Sequence, residues 1–234
     1  MNEGSCTMLV KKLKKVSSVE TVEASASKRN LGTTVDVEIA GIADLQFDRY
    51  VGAAVDGKAT VDLAKLVYLD DDDGLVLPAD NLGSFFYSAN YPSCVNMFWS
   101  DIKNRKNVQQ SFKAQVFPGP QQIPILDDAG EQIKFANFTK NGAGKLVDKS
   151  GHFYVDETLP RVKGAVVPNP NKKRPTLRCP WRMHFELAIF ELTGSDVTVE
   201  LVKAYLQRGG LMIGIGTHRP MFGRFVVEKF RQRA

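Results

Sequence analysis

A chain of 234 residues, 43% hydrophobic and 24% charged, is long enough to bury roughly 70% of its unfolded surface, so a core needs no disulfide or metal staple. Its three cysteines, Cys6, Cys94 and Cys179, are odd in number, widely spaced and never paired as C-x-x-C, which argues against a disulfide framework and a structural zinc site and fits a reducing compartment. The net charge of +5 is uneven: residues 1–160 carry 17 basic and 21 acidic side chains, or −4, and residues 161–234 carry 14 and 5, or +9, a distribution that suits a polyanionic partner.

The first residues, MNEGSCTMLVKKLKK, hold no apolar run of signal-peptide length, and no later window approaches a membrane span, so a cytoplasmic protein without a membrane partner is expected. A short extended segment over residues 8–13 and a polar linker over 17–29 come first. Val35-Asp36-Val37-Glu38-Ile39 then alternates apolar and acidic residues, the pattern of a strand with one buried face. Four adjacent carboxylates, Asp70 to Asp73, point in different directions and lack D-x-D-x-D-G spacing, so they read as a solvated turn; no metal or other cofactor is expected. LVLPADNLGSFFYSA reads as a short buried strand entering a helix near Ala79.

Periodicity weakens over residues 91–150, which are expected to form an irregular insertion, extended at 111–117 and turn-rich at KNGAGKLVDKSG. Residues 152–155 and 161–167 read as strands and PNPNKK as a turn, so residues 161–180 are expected to project as a mobile basic hairpin. WRMHFELAIF, residues 181–190, should be a central strand. Thr193 to Asp196 offer caps to a helix whose buried face is Val199, Val202, Tyr205 and Leu206, with Gly209 and Gly210 as its stop; RFVVEKF closes the sheet as an amphipathic strand.

Between that helix and the last strand lies LMIGIGTHRPMFGRF. Gly209, Gly210, Gly214, Gly216 and Gly223 fall within fifteen residues, interleaved with His218, Arg219 and Arg224. Without a Cβ, such a backbone can approach phosphates closely; equally, the glycines can serve only tight helix-to-strand packing. Neither G-x-G-x-x-G nor G-x-x-x-x-G-K-[ST] is present, which disfavours dinucleotide and Walker-type sites.

IAGIADLQFDRY at the first strand, GLVLPADNLGSFFYSA at the first helix and GGLMIGIGTHRPMFGRFVV at the end together resemble the RAMP superfamily, the RRM-related proteins of CRISPR effector complexes, and most of all small relatives encoded by phages and mobile elements. The resemblance covers about a third of the chain, with the final glycine-rich stretch as its most specific part. It implies an α+β fold: one RAMP-like domain over residues 1–234, with an RRM/ferredoxin-like antiparallel sheet, two packed helices, long insertions and a projecting β-hairpin. It also implies RNA held by basic and glycine-loop residues, and assembly with copies of itself or with effector subunits.

The expected activity is non-catalytic binding of nucleic acid, RNA rather than DNA and single-stranded, with antiviral defence or phage biology as its setting. Arg219 and Arg224 would meet phosphates from the loop, with Gly214, Gly216 and His218 beside them, and Lys172, Lys173, Arg174 and Arg178 would grip the strand from the hairpin. Phe222 would stack on bases; for Trp181 core packing is the better reading. The alternative is a metal-independent ribonuclease, for which His152, His184 and His218 are the candidates, although they form no constellation. A structural or interaction protein that uses the fold without nucleic acid is a third possibility.

Overall fold

Alternation places Val35, Val37 and Ile39 on one side of the first strand and Asp36 and Glu38 on the other, and the apolar set is fully buried. A computed structural model describes residues 32–50, 63–89, 92–136, 138–140, 146–156 and 173–233. The segments expected at 8–13, 17–29 and 161–167, and Lys172, lie outside the described residues.

In chain order, β1 (Thr33–Gly41) and β2 (Leu45–Gln46) are followed by a 3-10 turn at Leu63–Leu66, and β3 (Val76–Pro78) feeds α1 (Ala79–Tyr87). Then come α2 (Cys94–Phe98), α3 (Arg105–Gln115), β4 (Val116–Gly119), β5 (Gln122–Leu126), β6 (Phe138–Lys140), β7 (Leu146–Asp148), β8 (Phe153–Asp156), β9 (Arg174–Leu177), β10 (Arg182–Ile189), α4 (Val199–Met212) and β11 (Phe225–Gln232). The class is therefore mixed α and β, with antiparallel sheets. Among the described residues no helix is long and apolar enough to cross a membrane.

The principal sheet runs β11-β1-β10-β5-β3, with β4 also paired to β10, and every pairing in it is antiparallel. Gly119 and Pro118 of β4 lie opposite Glu186 and Leu187, and Ile125 and Leu126 of β5 lie opposite Met183 and Arg182, so β4 and β5 act as one strand interrupted at Pro120 and Gln121. The expected central place of residues 181–190 and the pairing of the first strand with the last are both borne out. Leu82, Phe85 and Phe86 of α1 and Val202, Tyr205 and Leu206 of α4 share one core with Val35, Val37, Phe185 and Phe225. A second sheet, β2-β9-β8-β7-β6, is built from the intervening segments.

Three expectations fail. The insertion at 91–150 is largely regular, and residues 111–115 are helical: Val108 and Phe112, one turn apart, are buried, and Phe112 stacks on Tyr205 at 5.4 Å. Only one apolar stripe of a polar helix touches the core, which is why its period is faint.

Gly209 and Gly210 do not stop α4, which runs on to Met212. A Cβ on Gly209 would sit 2.5 Å from Phe85 Cζ, and one on Gly210 would sit 2.6 Å from the Phe225 carbonyl oxygen. These glycines bring the helix onto α1 and β11. The start of α4 follows capping chemistry: Leu201 N–H donates to Thr198 Oγ1 at 3.1 Å and Val199 N–H to the Glu191 carboxylate at 2.7 Å.

The third correction concerns the described end of the expected basic hairpin, residues 173–180; its residues 161–172 lie outside the described residues. Residues 174–177 are buried throughout as β9, between β2 and β8 in the second sheet. Of the expected basic grip only Lys173 and Arg178, at the two ends of β9, are exposed among the described residues.

The face of the principal sheet opposite the helices carries an ion-pair network. Lys229 Nζ lies 2.5 Å from Glu38, Arg231 and Arg233 lie 3.4 and 2.6 Å from Asp36, Arg233 lies 2.5 Å from Glu186, and Arg182 bridges Asp128 and Glu228. The Arg233 guanidinium beside Asp36 holds that carboxyl below its ordinary 3.8, against burial, which pushes it up. A lowered folded-state pKa means that this stabilisation is complete above 3.8 and is lost as pH falls through the folded value. Asp36→Asn should therefore lower Tm at pH 7 and give a shallower fall of Tm below pH 4 than wild type. Parallel melting curves for the two proteins across that range would show Asp36 to be uncoupled from folding.

Candidate nucleic-acid interface

The glycine loop is held from inside. Ile215 N–H donates to Gly223 O at 2.9 Å, Thr217 N–H to Gln46 O at 3.1 Å and Gly223 N–H to Asp44 O at 2.7 Å. Gly214, Gly216 and Gly223 all have positive φ, as does His218 at 56°. A Cβ on Gly214 would lie 2.7 Å from the Gly223 backbone, one on Gly216 would lie 2.7 Å from Leu45 Cδ1, and one on Gly223 would fall on the Ile215 carbonyl. The glycines let the loop fold onto itself and onto β2, which is the packing role weighed above. What it turns outward is side chains: Met221 and Arg224 are exposed, and Arg219 is half-buried, with Nη2 3.4 Å from Ser84 Oγ on α1.

Asp44, in the bend between β1 and β2, joins three segments distant in sequence. Its Oδ1 accepts from Cys179 N–H at 2.8 Å, its Oδ2 from Tyr154 Oη–H at 2.9 Å and its carbonyl from Gly223 N–H. Arg178 and Arg224, each next to one of these anchored residues, are thereby brought to one node. The Arg178 guanidinium lies 4.8 Å from the centre of the Tyr154 ring. Burial, and then the bond to Asp44, push the Tyr154 hydroxyl up, so it stays protonated as a donor through the neutral range.

Ion pairing consumes much of the basic charge in the last third. Arg174, 7% exposed, is held by Asp48 at 3.1 Å, and Arg182, Lys229, Arg231 and Arg233 belong to the open sheet face. Each of the five meets a carboxylate, Asp48, Asp128, Glu38 or Asp36, from the acidic part of the chain. Carboxylates of the acidic segment thus meet five of the basic segment's fourteen cations. Arg178 and Arg224, by contrast, have no carboxylate within ion-pair distance among the described residues.

Beside the node is a cleft of about 310 Å³ between the glycine loop, α1 and the chain leaving β2. Phe47, Tyr68, Leu77 and Pro92 give it apolar walls; Gln46, Asp48, Asn81, Ser84, Thr217, His218 and Arg219 give it polar ones. Gln46 is fully buried, its Nε2 donating to Asp156 Oδ2 at 2.7 Å. Its Oε1, and Nδ1 of His218, are buried without a hydrogen-bond partner among the described residues.

The sequence-derived site is brought together in part. His218, Arg219, Phe222 and Arg224 share the loop, with the Phe222 ring 5.5 Å from that of His218, and Arg178 joins them through Asp44. Arg174 is drawn off to Asp48, and Trp181 is fully buried, with Nε1–H donating to Ala43 O at 2.9 Å. The three histidines fall on different elements: His184 on β10 opposite Glu38, His152 before β8 and His218 in the loop. Asp44, Gln46, Asn81, Ser84 and Tyr154 were not anticipated; the only signal for the first two was a polar residue on each side of Leu45 in a short apolar run. No group of three or more His, Cys, Asp or Glu able to hold a metal ion occurs among the described residues, and burial pushes the Cys94 thiol up, away from nucleophilic use. Compared with known proteins, the chain matches no family model and no curated sequence.

Proposed function

We propose that this chain is a RAMP-type protein that holds single-stranded RNA without cutting it. The fold supports the kinship: the principal sheet has the last-first-third-second strand order of a ferredoxin-like sheet, with β4 and β5 as the second strand, β10 as the third, and α1 and α4 as the two connecting helices. Fold alone carries no activity.

The observation that carries the functional reading is the node. Where five cations of the last third meet carboxylates, Arg178 and Arg224 are exposed next to residues that Asp44 anchors, with Arg178 over the Tyr154 ring and Arg224 in the loop that bears Arg219 and Phe222. Guanidinium groups for phosphates next to aromatic faces for bases form a surface suited to a flexible single strand. Preorganisation by Asp44 lowers the cost of ordering that surface on binding. The same surface is where effector subunits or a second copy would share the strand.

The test is a titration with a 15-nucleotide uridine RNA at several salt concentrations. Each phosphate contact on a single strand contributes about 0.7 to the slope of log K against log salt, so Arg178→Ala with Arg224→Ala should reduce the slope by about 1.4. Both side chains are exposed, so Tm should hold. A double variant that binds with native affinity and slope would remove the node from the interface, and shortening of the RNA during the titration would favour the ribonuclease.

A further inference from the structure

We infer that the bound strand runs from the Asp44 node along the glycine loop to a second arginine–tyrosine pair, Arg49 over Tyr68, which supplies a further phosphate contact and a further face for a base. The inference rests on the single-strand reading above. The stretch from Asp44 to Arg49 connects the two places. Its Leu45 and Gln46 pair with Leu177 and Thr176, and Phe47 N–H donates to Pro175 O at 3.0 Å. The glycine loop is bonded to the same stretch, through Thr217 N–H to Gln46 O and Gly223 N–H to Asp44 O. Chain of that length spans at most about 18 Å, so one short single strand can reach both arginine–tyrosine pairs.

Arg49 is exposed, and no carboxylate lies within ion-pair distance of it among the described residues; Asp48, its neighbour in the chain, is engaged by Arg174 at 3.1 Å. The Arg49 guanidinium lies 5.6 Å from the centre of the Tyr68 ring, as that of Arg178 lies 4.8 Å from the centre of Tyr154. Backbone bonds fix both members of the second pair: Arg49 N–H donates to Leu66 O and Val76 N–H to Tyr68 O, each at 3.0 Å. Tyr68 lines the cleft of about 310 Å³ together with Thr217 and His218 of the loop, so its ring is reached from the groove that the loop borders. A cation and a flat aromatic face, set in advance and repeated along one groove, suit a strand bound with little regard to its sequence. The path ends at Tyr68. In the turn that follows, the Asp70 carboxylate accepts from Asp72 N–H, Gly74 N–H and Gln132 Nε2, and Asp71, Asp72 and Asp73 are exposed, a negative field that phosphates avoid.

Binding of the 15-nucleotide uridine RNA by the full chain, titrated at several salt concentrations, tests it. Arg49→Ala should reduce the slope by about 0.7, and combining it with Arg178→Ala and Arg224→Ala should bring the total reduction to about 2.1, because separate sites act independently. Arg49 is exposed, so Tm should hold. Tyr68→Leu should weaken binding roughly five-fold or more with the slope unchanged, whereas Tyr68→Phe, which keeps the ring, should bind as wild type does. Lys113→Ala is the control: Lys113 is exposed on α3, which gives no residue to the cleft, and its loss should leave the slope as it is. If Tyr68→Leu lowers Tm, the Arg49 slope alone decides. A native slope for Arg49→Ala beside a reduced one for the variant lacking Arg178 and Arg224 would overturn the inference and leave the node standing. Equal slope losses for Arg49→Ala and Lys113→Ala, or equal weakening by Tyr68→Leu and Tyr68→Phe, would overturn it as well. Absence of RNA binding by wild type at low salt would remove the strand reading itself.

Discussion

Trp181→Ala should destabilise the protein by about 3–5 kcal/mol, the usual cost of truncating a fully buried large aromatic residue. The ring lies between the end of β1 and the start of β10 so closely that a Cβ on Gly41 would overlap the indole, and the cavity could not close without moving both strands. Trp181→Phe separates two contributions: it keeps most of the apolar volume but removes the donor to Ala43 O, so a smaller loss of about 1–3 kcal/mol is expected. Urea unfolding followed by circular dichroism gives both numbers. A change below 1 kcal/mol for the alanine variant would mean that the ring is not the wedge between β1 and β10.

Gly223→Ala should be at least as damaging, because the new methyl group would land on the Ile215 carbonyl in a backbone conformation with φ of 73°. Gly130 is the internal control: φ is 83° there, but nothing lies within 4 Å of the added Cβ. Alanine at 130 should cost only the left-handed strain of about 1–2 kcal/mol, whereas at 223 steric overlap adds to it and little folded protein should remain. Equal losses at the two sites would show that the loop does not close on itself at Ile215.

The parts of this fold that were legible in the sequence are those whose pattern comes from a single contact surface. Val35 to Ile39 alternates because one sheet face is buried, and Val199, Val202, Tyr205 and Leu206 mark a helix with one core-facing side, although its cap is Thr198 rather than one of the expected residues 193–196. What was not legible depends on partners remote in the chain. Arg174 reads as a solvated cation beside Lys172 and Lys173 until Asp48 is placed against it, and the basic excess of residues 161–234 reads as an interface until β11 is laid beside Asp36 and Glu38. Gly209 and Gly210 read as a helix stop because local propensity favours that; the close approach of Phe85 and Phe225 overrides it. The candidate site was half visible for the same reason. Arg219 and Arg224 lie in a conspicuous stretch, but Asp44, which sets Arg178 beside them, is a lone acid in an ordinary turn.

The place of β1 between β10 and β11 has a cost in time. Thr33 pairs with Ile189 and Val35 with Gln232, so both neighbours of this strand follow it by more than half the chain's length. Contacts of such high sequence separation form late and slowly. On the ribosome, at about 5–20 residues per second, β1 is exposed for many seconds with two bare edges and three apolar side chains, the condition in which strands recruit one another between chains. Asp36 and Glu38 interrupt that apolar run at every second position, so the carboxylates that later receive Arg233 and Lys229 act first as gatekeepers against aggregation of the nascent chain.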